Sequence, residues 1–166
     1  MEIKSKRFNK HEITHALKIY NHFIINSLAN FEENPLSTKE FDEIIKNIKK
    51  NNLPFLIAKD ENEVIGVAFV NKFRGKSGYR FTFEHSIYVD PHFINYGYGT
   101  IILKELIKEC RNNKKIKNLI AVIGGDNNIS SIKIHKKNGF KYIGTLKKVG
   151  RKKNKWIDSI YMQKIL

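Results

Sequence analysis

The chain has 166 residues, of which 41% are hydrophobic and 28% charged, proportions typical of a globular protein with a buried core. It contains no run of about 18 apolar residues that would predict a transmembrane helix. No apolar stretch follows its first residues as in a secretory signal, and the single cysteine, Cys110, excludes an internal disulfide. We therefore expect residues 1–166 to form one cytoplasmic domain with no membrane partner.

The formal net charge of +15, from 31 Lys and Arg against 16 Asp and Glu, has two explanations. It can attract a polyanion such as nucleic acid or a phosphorylated cofactor. It can also reflect an AT-rich genome, since Asn and Ile are abundant together with Lys, and we favour this explanation. The densest basic patch, Lys147–Lys153, lacks interleaved aromatic residues, so no specific nucleic-acid partner is predicted.

The first half of the chain predicts a strand, two helices and three further strands. Alternation over Met1–Arg7 indicates a short strand. Asn9 with Glu12, and Ser37 with Glu40, have the spacing of capping boxes, and apolar residues at helical spacing follow each pair. The three strands are predicted at Pro54–Lys59, Val64–Phe73 and Tyr79–Val89.

The second half alternates helices and strands. Helical periodicity begins after Gly97 and returns over Asn128–Asn138, which Gly139 ends as a capping glycine. Between these helices, the wholly apolar Leu119–Ile123 predicts a central strand that pairs parallel to the strand before Gly97. The order β-α-α-β-β-β-α-β-α-β-β predicts an α/β (α+β) fold, a mixed sheet of about seven strands with helices on both faces. The last two strands form a hairpin, Phe140–Val149 and Trp156–Gln163.

The most informative segment joins the strand ending at Val89 to the helix that begins after Gly97. Gly97 and Gly99 open this helix. Helix N-termini carry unpaired amides and a partial positive charge, and glycine lets the backbone approach a phosphate closely. The pyrophosphate of a nucleotide-like cofactor is the expected ligand; two small residues that serve only packing are the alternative. The pattern is neither a dinucleotide-binding fingerprint nor a P-loop.

Blocks along nearly the whole chain follow one known pattern. The central block, Tyr79-Arg80-Phe81-Thr82-Phe83-Glu84-His85-Ser86-Ile87-Tyr88-Val89, follows Y-R-x-T-x-E-H-S-V-Y-V, and 128–140 follows N-x-x-S-I-x-L-H-x-K-x-G-F. The outer blocks are Ile19–His22, Phe31–Pro35 and Val149–Lys164. With the glycine loop between them, these blocks resemble the GNAT acetyltransferase superfamily, and most closely its phosphinothricin and methionine-sulfone acetyltransferase branch.

The resemblance implies one N-acetyltransferase domain over residues 1–166, built on a mostly antiparallel sheet. It implies acetyl-CoA as co-substrate, and members of the branch are often homodimers. The amides of a splayed strand end would receive the thioester carbonyl, and the glycine loop the pyrophosphate. The glycine loop departs from the superfamily pattern, because Ile94 stands where the superfamily usually has Arg or Gln, and Asn95 where it often has Gly. The implied cofactor-binding residues are Ile87, Tyr88, Val89, Asn95, Tyr96, Gly97, Tyr98, Gly99, Thr100, Asn128 and Lys137.

Acetyl transfer to an amine needs a base for the ammonium and an acid for the departing thiolate. Glu84 matches the carboxylate of the branch, and burial among apolar neighbours would raise its pKa toward the working range; a solvent-facing carboxylate is the alternative. His135 stands where many superfamily members have a tyrosine acid, two helical turns after Asn128, although a lone helical histidine is often structural.

The implied substrate is a small amino-acid-like amine of the phosphinothricin, methionine sulfone or methionine sulfoximine type. If the strand alternates regularly, Arg80 shares a face with Glu84 and can bind a carboxylate or phosphinate in a bidentate manner. Gly78 and Tyr79 would shape the entrance, and Phe31 an apolar wall. No His/Cys/Asp cluster has metal-ligand spacing, so no metal is expected. A protein N-terminal acetyltransferase and a non-catalytic acyl-CoA-binding module remain alternatives.

Overall fold

A computed structural model describes residues 1–125 and 128–166 of the chain. The helices are α1 Lys10–Asn26, α2 Thr38–Lys50, α3 Tyr98–Asn112 and α4 Ile129–Lys137. The strands are β1 Glu2–Lys4, β2 Phe55–Asp60, β3 Glu63–Lys72, β4 Thr82–Val89, β5 Asn118–Gly124, β6 Lys141–Lys152 and β7 Lys155–Ile165. Within the described ranges, no helix combines the length and the hydropathy needed to cross a bilayer. The predicted order of helices and strands is confirmed.

The seven strands form one sheet in the order β1-β2-β3-β4-β5-β7-β6. The pairing is antiparallel except between β4 and β5, which are parallel because α3 crosses over between them. Helices α1 and α2 pack on one face of the sheet, in a core centred on Phe41 and Phe69. On the opposite face α3 packs in a second core, centred on Leu103 and Leu106, against which α4 also packs. The predicted sheet with helices on both faces is therefore confirmed.

Both predicted capping boxes begin their helices as expected. The Asn9 side chain accepts a hydrogen bond from the Glu12 amide at 2.8 Å, and the Glu12 carboxylate accepts one from the Asn9 amide at 3.0 Å. Ser37 and Glu40 form the same reciprocal pair at the start of α2. These local bonds satisfy amide groups that the first helical turn leaves unpaired, so the sequence pattern alone could locate both helix starts.

Three predicted strand boundaries are wrong, and each for a local reason. The first strand is Glu2–Lys4 and not Met1–Arg7, because Arg7 has a positive φ of 58° that no extended strand adopts. The strand predicted from Tyr79 begins at Thr82, because Ser77–Tyr79 forms a short 3₁₀ turn. The final hairpin is longer than predicted, because its turn is confined to Lys153 and Asn154, both left-handed.

Candidate active site

The parallel strands β4 and β5 separate halfway along their length. Their pairing runs from Thr82 opposite Asn118 to His85 opposite Ala121 and ends there. Beyond that point β4 stays paired with β3 as far as Val89, and β5 with β7 as far as Gly124. The two strands therefore diverge, and a gap opens in the middle of the sheet.

The gap exposes backbone amides of β4. The Asp90 amide donates to the Ile65 carbonyl oxygen of β3 at 2.9 Å, which fixes the direction of the alternating amides along the strand. Since successive amides point to opposite sides, those of Ile87 and Val89 point toward β5. Among the paired residues that the structure describes, neither has a partner in β5. These donors can receive a carbonyl oxygen held in the gap.

A cavity of about 760 Å³ occupies the gap and is reached from both faces of the sheet. Tyr88 contacts Tyr20 of α1, so Glu84, four residues earlier on the same strand, lies on the α1/α2 face. His85 lies on the opposite face, where its ring contacts His135 of α4. The cavity wall therefore carries a carboxylate from one side of the sheet and two imidazoles from the other.

The environment of Glu84 favours its protonated form relative to a carboxylate in water. Burial raises the pKa of Glu84, while the positive charge of Arg74 acts in the opposite direction. Asn71 lies opposite Glu84 across β3 and β4 and also lines the cavity. A carboxylate with a raised pKa on a cavity wall can act as a base near neutral pH.

The two histidines on the other wall form a closely spaced pair. Their Nε2 atoms are 2.8 Å apart, and the residues are 6% and 2% exposed for His85 and His135. Nδ1 of His85 lies 3.1 Å from the Ile120 carbonyl oxygen, and Nδ1 of His135 lies 2.6 Å from that of Ser131. Burial lowers the pKa of both rings, that of His85 to about 3.

The glycine loop leads into α3 at the edge of the cavity. Gly97 is the residue before the helix and has a φ of +82°, a conformation that favours glycine. Asn95 is also left-handed, at 71°. None of the first four helix residues, 98–101, is acidic, so the positive end of the helix is not neutralised from within. The loop and helix start can therefore receive an anion.

Most of the residues predicted for the site line this cavity. Those that do are Glu84, His135, Ile87, Tyr88, Val89, Asn95, Gly97, Tyr98, Gly99, Thr100, Asn128 and Phe31. Tyr96 and Lys137, predicted to contact the cofactor, are exposed and lie outside the lining, as do Gly78, Tyr79 and Arg80.

Arg80 does not share a strand face with Glu84, contrary to the expected alternation. It follows the 3₁₀ turn, two residues before β4 begins. Its guanidinium stacks on the Phe81 ring at 4.5 Å from the centroid and reaches the Ser77 carbonyl oxygen at 3.4 Å. The arginine whose charge acts on Glu84 is Arg74, which follows β3.

Sequence reasoning missed two residues: His85, which lines the cavity, and Arg74, whose charge acts on Glu84. His85 directly follows Glu84, so strand alternation indicates that it faces the other side of the sheet. No local pattern, however, places it beside a histidine 50 positions later. Arg74 lies in a segment whose turn the sequence did not reveal.

Comparisons with known proteins agree with this geometry. The profile of the acetyltransferase (GNAT) family matches residues 21–140. The phosphinothricin N-acetyltransferase of Alcaligenes faecalis is 36% identical over 148 residues, which cover 89% of this chain and 75% of that protein. The L-methionine sulfoximine/L-methionine sulfone acetyltransferase of Pseudomonas aeruginosa is 32% identical over 148 residues, covering 89% and 85%.

Solved structures show the same fold. A ribosomal-protein-alanine N-acetyltransferase from Brucella melitensis superposes with a TM-score of 0.94 at 35% identity, covering 100% of both chains. A phosphinothricin acetyltransferase from Sinorhizobium meliloti, solved in complex with acetyl-CoA, superposes with a TM-score of 0.90 at 33% identity, covering 99% of this chain and 88% of that one. This chain therefore belongs to the GNAT family of acetyltransferases.

Proposed function

We propose that this acetyl-CoA-dependent enzyme acetylates the primary amine of a small amino-acid-like substrate of the phosphinothricin, methionine sulfone or methionine sulfoximine type. The amine attacks the thioester directly, with Glu84 as the general base. The observation that carries the proposal is the position of Glu84, half-buried on the wall of the gap and on the same strand as the amides of Ile87 and Val89, which have no partner in β5. The names of the relatives support the substrate class.

The residues present suit acetyl-CoA. The start of α3, from Gly97 to Thr100, lines the cavity and offers helix N-terminal amides to the pyrophosphate. Asn128, at the start of α4, reaches the same cavity and can hydrogen-bond the pantetheine arm. The chain's net charge of +15 raises the local concentration of this anion.

The free amides of β4 would bind the thioester carbonyl and then the oxyanion that forms when the amine attacks. Such donors are fixed by the sheet before the reaction, so they need no reorganisation as charge develops. Losing one donor of this kind typically costs about 3–4 kcal/mol of transition-state stabilisation. Since the donors are backbone groups of Ile87 and Val89, side-chain identity there matters little to this step.

Glu84 would remove the proton that an ammonium must lose before its nitrogen can attack. Its burial raises its pKa and so strengthens it as a base. The α1/α2 face, from which Glu84 enters the gap, would then be the side of the amine. The thioester would enter from the other face, where His85 and His135 lie and where α3 and α4 begin the phosphate and pantetheine contacts.

A substrate of this class carries a carboxylate, sulfone or phosphinate besides its amine, and Arg74 is the residue best placed to bind it. The positive charge of Arg74 acts on the pKa of Glu84, which supports a role on the amine side, although Arg74, like Arg80, lies outside the cavity lining. Arg74 is exposed, with its guanidinium 5.2 Å from the centroid of the Phe73 ring, and would have to leave that ring to bind the substrate. Arg80, which the sequence suggested for this task, also lies outside the cavity lining, and its guanidinium reaches the Ser77 carbonyl oxygen.

A second candidate substrate is a protein N-terminus. The structure from Brucella melitensis bears the name of a ribosomal-protein-alanine N-acetyltransferase and aligns over the whole of both chains. A peptide would need room beyond its first residue. The groove beside Phe31, Glu32 and Glu40, with a volume of about 360 Å³, adjoins the cavity and could hold it.

Thiol release from acetyl-CoA tests the proposal. The panel contains methionine sulfone, methionine sulfoximine, phosphinothricin, several free amino acids and a tetrapeptide beginning with alanine. We expect the fastest turnover on a sulfone, sulfoximine or phosphinate. Turnover on the peptide alone would favour the second candidate. Binding of acetyl-CoA without turnover on any of these amines would overturn the proposed substrate class.

A further inference from the structure

The hydrogen-bond partners of His85 and His135 indicate which of their ring nitrogens carry a hydrogen. Each Nδ1 faces a backbone carbonyl oxygen, that of Ile120 for His85 and that of Ser131 for His135. A carbonyl oxygen only accepts, so each Nδ1 is expected to carry a hydrogen. The two Nε2 atoms then face each other at 2.8 Å, a distance that requires a proton between them.

Two neutral imidazoles cannot satisfy all three contacts. A neutral ring carries one N–H, so two rings have two protons for three hydrogen bonds. If both Nδ1 atoms keep theirs, the Nε2 lone pairs repel. The full arrangement therefore holds three protons on two rings, with a net charge of +1. Burial opposes this charge, because it lowers the pKa of both histidines.

Ser131 offers the resting enzyme a two-proton arrangement. Its hydroxyl oxygen lies 3.4 Å from Nδ1 of His135 and can turn its proton toward that nitrogen. His135 would then carry its proton on Nε2 and donate to Nε2 of His85, which donates through Nδ1 to the Ile120 carbonyl oxygen. In this two-proton state Nδ1 of His135 carries no hydrogen although it lies 2.6 Å from the Ser131 carbonyl oxygen, so the His135 ring must turn toward the Ser131 hydroxyl when the third proton leaves.

We propose that His85 and His135 act as one unit that takes up a third proton when acetyl-CoA binds and delivers it to the departing sulfur. His135 is the catalytic residue of the pair, and His85 is a positioning residue that acts through it. This inference rests on the proposed acetyl transfer and adds the source of the proton for the thiolate. The anionic co-substrate supplies the negative charge that favours the protonated pair.

The proton balance follows from the two faces of the gap. Glu84, on the amine side, removes one proton from the ammonium before attack and a second as the amide forms, and passes both to solvent. The nitrogen forms a bond to the carbonyl carbon, the carbon–sulfur bond breaks, and its electron pair stays on sulfur. The shared proton of the histidine pair then forms the S–H bond. One proton taken up and two released give the net release of one that the reaction requires.

No neighbouring charged group of the described residues sets the protonation of the two imidazoles. Among the described residues, no carboxylate or cation lies within ion-pairing distance of either imidazole. Glu84 is on the opposite face of β4, and the α4 lysines Lys133, Lys136 and Lys137 are all exposed. The rings otherwise contact Phe140, with centroids 5.1 and 5.0 Å away. In such apolar surroundings, the proton affinity of each ring depends chiefly on the other.

Calorimetry of acetyl-CoA binding tests the uptake without turnover. The binding enthalpy is measured in two buffers of different ionisation enthalpy, for the wild type and for His85→Phe, His85→Gln and the exposed control His11→Gln. We expect uptake by the wild type and the control to approach one proton per site near about pH 6. His85→Phe should lose it, because no acceptor remains for the His135 Nε2–H. His85→Gln should keep part of it, because its amide oxygen can accept.

Two further measurements complete the test. In the wild type, ¹⁵N NMR should show a scalar coupling between the two Nε2 nuclei through the shared proton. In His85→Phe, kcat should fall about 10- to 100-fold with a changed pH profile, while the KM for the amine stays within about twofold. Equal proton uptake by the wild type and His85→Phe would overturn the proposal that the two histidines act as one unit. Rings that titrate independently in the NMR spectrum would overturn it as well. Failure of the proposed substrates would leave both binding readouts intact, so the two proposals fail separately.

Discussion

The ring of Phe31, in the loop between α1 and α2, packs directly on the backbone of Gly124 at the end of β5. A Cβ built on Gly124 would lie 2.8 Å from Cε2 of Phe31 and 2.6 Å from the carbonyl oxygen of Leu28. The same loop supplies Ala29, Asn30 and Glu32 to the cavity wall. The glycine thus lets the loop close over the gap between β4 and β5.

Gly124→Ala should therefore displace this loop and loosen the substrate side of the cavity. We expect a loss of about 1–3 kcal/mol in the free energy of unfolding, the usual range for overpacking. The KM for the amine should rise severalfold. Gly144→Ala is the matched control, because a Cβ there meets no atom of the described residues within 4 Å. Urea denaturation and steady-state kinetics of both variants measure the effect. Equal behaviour of the two would show that the loop is not held by this contact.

Glu84→Gln should separate stability from activity. We expect kcat to fall by about 10²-fold or more with unchanged acetyl-CoA affinity, because the substitution removes the proposed base and leaves the proposed phosphate contacts in place. Since burial raises the pKa of Glu84, the native state binds more protons than the unfolded chain between the usual and the raised pKa. The free energy of unfolding therefore falls as pH rises through that window.

The neutral amide introduced by Glu84→Gln does not ionise, so the variant keeps its free energy of unfolding as the pH rises. It should therefore be more stable than the wild type at a pH above the raised pKa of Glu84. Thermal unfolding as a function of pH, together with the acid limb of kcat/KM, measures both effects. Glu43→Gln, on the exposed surface of α2, serves as the control. Unchanged turnover in Glu84→Gln would remove Glu84 as the base.

The sequence alone predicts those features of the fold that depend on residues close together in the chain. The capping boxes at Asn9 and Ser37 fix their helix starts by bonds within four residues, and Gly97 marks the start of α3 by its own backbone conformation. The order of elements follows from such signals, because the period of the apolar residues changes at each boundary. The parallel pairing of β4 and β5 follows from the crossover helix.

The site required the structure because its features depend on distant parts of the chain. The divergence of β4 and β5 is a property of the backbone, and no pattern of side chains in the sequence predicts it. His85 meets His135 only because α4 returns to the sheet after β5. Arg74, and not Arg80, acts on Glu84 because a 3₁₀ turn interrupts the alternation from which Arg80 was predicted.

The buried carboxylate Glu12 should control the acid stability of the fold. It is 1% exposed and forms ion pairs with Lys4 at 2.6 Å and Lys59 at 3.2 Å, joining α1 to β1 and β2. Although burial alone would raise its pKa, hydrogen bonds from Lys4, the Asn9 amide and Lys59 lower it to about 2. The stabilisation is therefore present above about pH 4.5, and it is lost as the pH falls toward 2.

Glu12→Gln should lower the free energy of unfolding at neutral pH by about 1–3 kcal/mol, between the values typical of exposed and buried ion pairs. The difference from the wild type should shrink as the pH falls from about 4.5 toward 2. Glu40→Gln changes the same position of the other capping box at an exposed site, and it should cost no more than about 0.5 kcal/mol. A Glu12→Gln deficit that is constant across pH would contradict the assigned pKa.

Ile94→Arg should strengthen acetyl-CoA binding. Ile94 is exposed, lines the cavity beside the glycine loop, and stands where the superfamily usually has Arg or Gln. A guanidinium there would add a charge-assisted hydrogen bond to the pyrophosphate, which we propose is bound by the amides at the start of α3. We expect a gain of about 0.5–2 kcal/mol, or roughly a 2- to 30-fold lower Kd, that diminishes as salt is added.

Ile101→Arg, on the exposed side of α3 and outside the cavity lining, adds the same charge without the contact. It should change the Kd for acetyl-CoA by less than about twofold, because an exposed charge away from the phosphates is screened. Calorimetric titration of both variants and the wild type at low and high salt separates the local contact from the general field of a chain with net charge +15. Equal tightening by both substitutions would show that long-range attraction, and not the loop position, limits the affinity.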